Sequence, residues 1–272
     1  MNDANSLLIS ALAILAAVLY LAAGARQLLQ VERASDKPNQ GVVVLGLLAL
    51  TIHLGVEIIA GQAGTVTFGF YQVASLAFVT MSLVNLIILL FRPLHMLVIV
   101  IFPFSALAVM VSTFSPASGT PLAGLSHGVL IHVSLSLIAY AVISLATVQA
   151  VIVRVQSNRL RQHRTKDLIR ILPPLQRMES MLYELITLGF ILLTLAIASG
   201  AFFVDDLLGQ KLVHKTVLTT IGWLILLVTV AVHVRQGWRI NTAINLVLLA
   251  FGLLALGFFG SKLVSELLLG AA

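Results

Sequence analysis

The sequence predicts an all-α polytopic membrane bundle of about eight transmembrane helices, and three observations carry that prediction. Of 272 residues, 60% are hydrophobic and only 10% charged, with a mean hydropathy of +1.08; soluble domains average about 45–50% apolar and about 25% charged. The apolar residues fall into runs of the length that a hydrocarbon layer of about 30 Å demands of a helix. The runs are continuous rather than alternating, which excludes barrel strands. A backbone in lipid must pair its own N–H and C=O groups, so each run becomes a helix. The surplus of apolar side chains then faces lipid.

Spans are expected near 5–24, 40–60, 68–90, 94–112, 125–152, 180–203, 213–234 and 240–265. Turn chemistry divides them. Asp36-Lys37-Pro38-Asn39 parts the first two, Gly61-Gln62-Ala63-Gly64 the next, and Arg92-Pro93 makes a tight turn after the third. A Pro/Gly/Ser stretch at 115–121 follows the fourth. Asp205-Asp206 with Gly209 precedes the seventh, and Arg235 to Arg239 closes it. The longest polar segment, 154–179, reads as a basic cytoplasmic loop within a single integral membrane domain spanning 1–272. It is too short for a core of its own.

Basic residues supply the orientation. With the N-terminus outside, Arg26, Arg33, Lys37, Arg92, the seven Lys and Arg of 154–179, Arg235 and Arg239 fall inside, while Lys211, Lys215 and Lys262 fall outside. Thirteen against three is a strong positive-inside bias, so both termini are expected outside. The formal charge of +6 is thereby a topology signal and not a nucleic-acid footprint. Met1 to Ser10 carries no basic residue, so no cleavable leader is expected there. The basic segment could hold anionic lipid headgroups. Cysteine is absent, which removes disulfides, thiolate metal sites and covalent haem attachment through this chain's own thiols.

The informative residues of such a chain are polar groups within or at the mouths of its spans. His53 and Glu57, four apart in the second span, share a face and suit either a structural hydrogen bond or the lining of a cofactor or proton path. His127 and His132 open the fifth span but diverge by about 140° around it. His132, Ser136 and Tyr140 read as a polar stripe descending from the mouth. His214 begins the seventh span beside Lys215, at the same level as Lys211 and Lys262. Two imidazoles from different helices at one depth can hold haem iron from both faces, and nearby lysines would attract its propionates; snorkelling to headgroups is the plainer use of those lysines. His233 ends the seventh span on the inner side near Trp238, and His95 begins the fourth. His163 belongs to the basic segment. No zincin, phosphate-loop or serine-hydrolase motif occurs, and no internal repeat supports an inverted-repeat transporter.

Two blocks carry a family resemblance: His132-Val133-Ser134-Leu135-Ser136-Leu137-Ile138-Ala139-Tyr140, and a stretch from Leu188-Gly189 through Ser199-Gly200-Ala201, His214-Lys215-Thr216-Val217-Leu218, Trp223 and Gly237-Trp238-Arg239 to Phe259-Gly260-Ser261. On these the chain resembles the integral membrane cytochrome c assembly family, which includes the CcsA and CcmC haem-handling proteins, and most of all its eight-span YpjD or HemX-like branch. The resemblance implies haem b as cofactor, cytochrome c maturation or other membrane proteins as partners, and an outward ligand at His132. It also implies a buried inner histidine, matched by His233, with His53 as its counterpart on an earlier span. The family's Trp-rich segment ending in Asp is replaced here by Gly209 to Thr216, without Trp or Asp. An accessory role is therefore expected rather than a complete haem lyase.

The function so expected is haem binding or handling, with ligation and orientation rather than bond making. Its site set is His132 and His214 near the outer face as iron ligands, His53 and His233 as an inner or transit site, and Tyr140, Lys215 and Trp223 around them. Two other classes remain open: a structural or regulatory membrane partner without haem, and a small-solute transporter with a polar cavity around His53 and Glu57.

Overall fold

A computed structural model describes residues 3–30, 39–62, 69–115, 126–162, 173–203, 213–235 and 240–260. Among these residues the chain forms eight helices: α1 (Asp3–Leu29), α2 (Gln40–Gln62), α3 (Phe70–Phe91), α4 (His95–Phe114), α5 (His127–Arg161), α6 (Leu175–Phe203), α7 (Val213–Arg235) and α8 (Ile240–Ala255). A π-helical turn, Leu256–Gly260, continues α8. All eight are long and apolar enough to cross a membrane, counting α8 with its π turn. Large apolar side chains such as Leu7, Leu28, Phe104 and Ile191 lie exposed on their outer faces, as lipid contact requires.

The expected boundaries shift most around the basic segment. Helix α5 runs on to Arg161 and α6 starts at Leu175, so Arg154, Arg159, Arg161 and Arg177 ride on helix ends instead of in a loop. A run of good helix formers with hydrogen-bonding side chains extends α5 past its apolar part. The Arg154 guanidinium donates to the Asn245 side chain, and the Gln156 amide donates to the Pro173 carbonyl at 2.9 Å. His163, Arg164, Lys166 and Arg170 lie outside the described residues, as do Lys211, Lys262, Gly209 to Leu212 and Trp238.

The helices group into two compact units, α1–α4 and α5–α8 with the π turn. In the first, α1 packs on α2 and α4, and α3 packs on the same two. Its interior seam is a stripe of small residues on α1, with Ala13, Ala16, Ala17 and Ala23 buried around Tyr20. Small side chains let helices approach closely where lipid gives them no hydrophobic reason to associate. Gly46 of α2 serves the same end: a Cβ there would sit 2.9 Å from the Phe102 ring of α4.

The second unit repeats that neighbour order, with α5 on α6 and α8, and α7 on the same two. Helices α5 and α6 pack on each other; α5 buries Ala139, Ala146 and Ala150, and α6 buries Leu182, Ile186 and Gly189. A Cβ on Gly189 would lie 2.7 Å from Ile143 Cγ1. Ser126 caps α5 by accepting from the Val129 N–H at 3.3 Å, which lets the helix start at His127.

Candidate functional site

In the second unit, candidate residues sit near the N-terminal ends of α5 and α7, and the C-terminal end of α6 lies against the start of α5. His132, half-buried, turns toward α6. Its Nδ1 lies 3.0 Å from the Ala196 carbonyl and 3.2 Å from the Ser199 hydroxyl, while Ser199 gives its own hydrogen to the Ala196 carbonyl at 2.8 Å. A carbonyl only accepts, so His132 Nδ1 carries a hydrogen toward it, and in the neutral ring that leaves the lone pair on Nε2. Gly200 makes room for the ring, since a Cβ there would be 2.9 Å from Cε1. One turn nearer the helix start, a Cβ on Gly128 would be 2.5 Å from the Phe203 ring, so the two helix ends meet at glycine on both sides.

The stripe expected from His132 through Ser136 to Tyr140 divides between two neighbours. Tyr140 is buried against α8 and its π turn, with ring centroids 5.7 Å from Phe251, 5.1 Å from Phe258 and 5.6 Å from Phe259. Eight residues of helix leave about 80° between the two side chains, enough to send one to α6 and the other to α8. Trp223 of α7 donates its Nε1–H to Thr194 Oγ1 at 2.8 Å and stacks on Phe190 at 5.8 Å; it fastens α7 to α6.

His214 is exposed on the first turn of α7, and Lys215 beside it is half-buried. Because α5 and α7 both pack chiefly on α6 and α8, they stand diagonally in the unit. His233, exposed near the other end of α7, stacks face to face on Tyr183 with centroids 3.5 Å apart. The two rings border an open groove of about 610 Å³ lined also by Gln176, Glu179 and Glu184.

In the first unit His53 is fully buried. Its Nε2 lies 2.9 Å from Ser75 Oγ, and its Nδ1 lies 3.5 Å from the Tyr20 hydroxyl. Ser75 donates to Glu57 Oε1 at 2.5 Å. The i, i+4 relation of His53 and Glu57 is thus realised through a serine of α3, with a direct His–Glu separation of 3.7 Å. Sequence reading found the pair and missed Tyr20, Ser75 and Ser199. Tyr20 stands in the small-residue stripe of α1, which is a signal for burial but not for a partner. Among the described residues no group of three or more His, Cys, Asp or Glu could hold a metal ion.

These features define a polytopic helical membrane protein with imidazoles set within its spans. The sequence pattern described as "Cytochrome C assembly protein" matches residues 69–269, and the chain belongs to that family, in its YpjD-like branch. It is 25% identical over 169 residues to the inner membrane protein YpjD of Escherichia coli K12, which covers 62% of this chain and 64% of that protein. It is 32% identical over 142 residues to a 28.8 kDa protein in the nifR3-like 5′ region of Azospirillum brasilense, 52% of each chain. The chain thus spans about 64% of the length of the YpjD relatives it matches. No solved structure matches it.

Proposed function

We propose that this protein handles haem in the inner membrane of a bacterium, as an accessory member of its family rather than a complete haem lyase. In this reading both termini lie outside, so the α5 and α7 starts face outward and the basic segment faces the cytoplasm. The observation that carries it is the state of His132. A ring whose Nδ1–H is spent on a backbone carbonyl has its tautomer and orientation fixed and its Nε2 lone pair free, which is how metal-ligating histidines are usually held.

His214 is the second candidate ligand, and its exposure leaves the ring available. Lys215 next to it suits a propionate. Haem would supply the redox-active iron, and the chain's contribution is to ligate and orient it. His53 fits such a role poorly because both ring nitrogens already face protein partners. His233 fits poorly because Glu179 and Glu184 in its groove repel propionates. Tyr140 and Trp223 serve as packing that holds α5, α6, α7 and α8 in place.

A second reading, a membrane scaffold without haem, draws on one observation: the two outward imidazoles stand on diagonal helices, with His132 turned to α6 and His214 outward. One experiment separates the readings. Purified protein is loaded with haem and its Soret and α bands recorded, then His132→Ala and His214→Ala are compared with it. Loss of the low-spin spectrum in His132→Ala, with a changed axial signature in His214→Ala, is the expected result. Absence of haem binding in the unmodified protein, or unchanged spectra in both variants, sinks the haem reading and favours the scaffold.

A further inference from the structure

Polar groups of the first unit lie end to end across four helices. Ser105 of α4 and Ser82 of α3 have their hydroxyl oxygens 2.7 Å apart, and Ser82 bonds the Tyr20 hydroxyl of α1. Tyr20 lies 3.5 Å from His53 Nδ1. From His53 it continues through Ser75 to Glu57 as described above. Ser105, Ser82, Tyr20, His53 and Ser75 are all fully buried, whereas the Glu57 side chain is 10% exposed. Ionisable groups at such depth are costly and rarely kept without a role.

Hydroxyls both give and take hydrogen bonds, and an imidazole can carry its single hydrogen on either nitrogen. The line therefore has two fully paired orders. In one, every hydrogen points toward an ionised Glu57: Ser105 donates to Ser82, Ser82 to Tyr20, Tyr20 to His53 Nδ1, His53 Nε2–H to Ser75, and Ser75 to the carboxylate. In the other, a protonated Glu57 donates to Ser75, Ser75 to Nε2, Nδ1–H to Tyr20, Tyr20 to Ser82, and Ser82 to Ser105. Ser105 then gives its hydrogen to the Ile101 carbonyl, 3.0 Å away.

We propose that this line is a proton relay through the interior of the first unit, with Glu57 as terminal acceptor and the His53 imidazole as the element that switches. Passage from the first order to the second moves each hydrogen one atom toward Glu57. The O–H bonds of Ser105, Ser82, Tyr20 and Ser75 and the Nε2–H bond of His53 break; new bonds form on Ser82, Tyr20, His53 Nδ1, Ser75 and Glu57. A proton from water replaces the one lost by Ser105, which closes the balance. Asn85, one turn from Ser82 on α3, is fully buried with both amide atoms lacking a partner, polar surface of the kind that holds an internal water. Around His53 and Glu57, α1 presents Tyr20 and α3 presents uncharged Gln72, Ser75, Ser82 and Asn85 as its buried polar groups. Arg26 lies over Gly41 at the opposite end of α2, and His95 begins α4. The relay belongs to the first unit alone and stands whether or not the second handles haem.

The test is the tautomer of His53 in the full-length protein in lipid bilayers. His53 is the one histidine followed by leucine, so paired His and Leu isotope labelling assigns its NMR signals without mutation. As pH falls, His53 is expected to pass completely from the Nε2–H to the Nδ1–H tautomer while a buried carboxylic C=O band appears in the infrared. Glu57→Gln is expected to remove both changes. Tyr20→Phe keeps the ring and cuts the line, so it is expected to retain the band and abolish the tautomer change. A His53 that holds one tautomer while Glu57 titrates, or gains a second proton instead, overturns the relay, as does a tautomer change that persists in either variant.

Discussion

Gly200→Ala probes the claim that a backbone carbonyl sets the His132 ring. The new Cβ would sit 2.9 Å from His132 Cε1 and 3.1 Å from Nδ1, against about 3.5–4.0 Å for relaxed carbon contact. The ring must therefore recede by roughly 0.6 Å or more. That stretches the 3.0 Å bond from Nδ1 to the Ala196 carbonyl toward about 3.5 Å, where a hydrogen bond is weak. Its net loss costs about 0.5–1.5 kcal/mol of stability. The larger consequence falls on the iron, because removing such a supporting partner typically lowers metal affinity about 10–100-fold. The assay is haem titration of the purified protein followed at the Soret band. Gly189→Ala supplies the control: it crowds Ile143 in the same α5–α6 seam, costing about 1–3 kcal/mol of packing strain, without touching His132. Gly200→Ala should lose affinity by about tenfold or more, while Gly189→Ala should lose thermal stability with affinity unchanged. Unchanged affinity in the first variant, or equal losses in both, refutes the reasoning.

Three further outcomes are expected. In a chain without native cysteine, Ser115→Cys should react with a membrane-impermeant maleimide on intact cells, and Arg92→Cys only after permeabilisation; the reverse pattern inverts the topology. Tyr140→Ala should destabilise the second unit by about 3–5 kcal/mol, as for other buried aromatics, whereas Tyr140→Phe, which keeps the stack on Phe258, should stay within about 1 kcal/mol; thermal unfolding in detergent measures both. Thr194→Val should cost about 1 kcal/mol by removing the acceptor of the Trp223 Nε1–H, with a shift of Trp223 emission as the direct readout.

How much of this was legible beforehand depended on whether the signal was local. The turn at Arg92-Pro93 separates α3 from α4 as expected, since proline and charge break a helix wherever they stand. The reach of α5 to Arg161 was missed because hydropathy ends a span at the lipid boundary, while helix propensity and the bonds of Arg154 and Gln156 carry the backbone onward. His53 and Glu57 could be paired from their spacing on one helix. Their serine intermediary could not, for it arrives from α3 through a register that spacing along α2 does not contain. Tyr140 was assigned to the His132 stripe because eight residues is close to two turns; the remaining rotation of about 80° sends it to the phenylalanines of α8.

The eight spans and the family were present in the sequence by itself, because the free energy of placing a side chain in lipid is a property of each residue and adds along the chain. The tautomer of His132, the enclosure of His53 and the diagonal placing of α5 and α7 were decided only in the tertiary structure. Each depends on how a helix is rotated about its axis against a neighbour distant in sequence, as Ala196 and Ser199, more than sixty residues on, are from His132. Close packing at glycine and alanine sets that rotation, and no single helix encodes it.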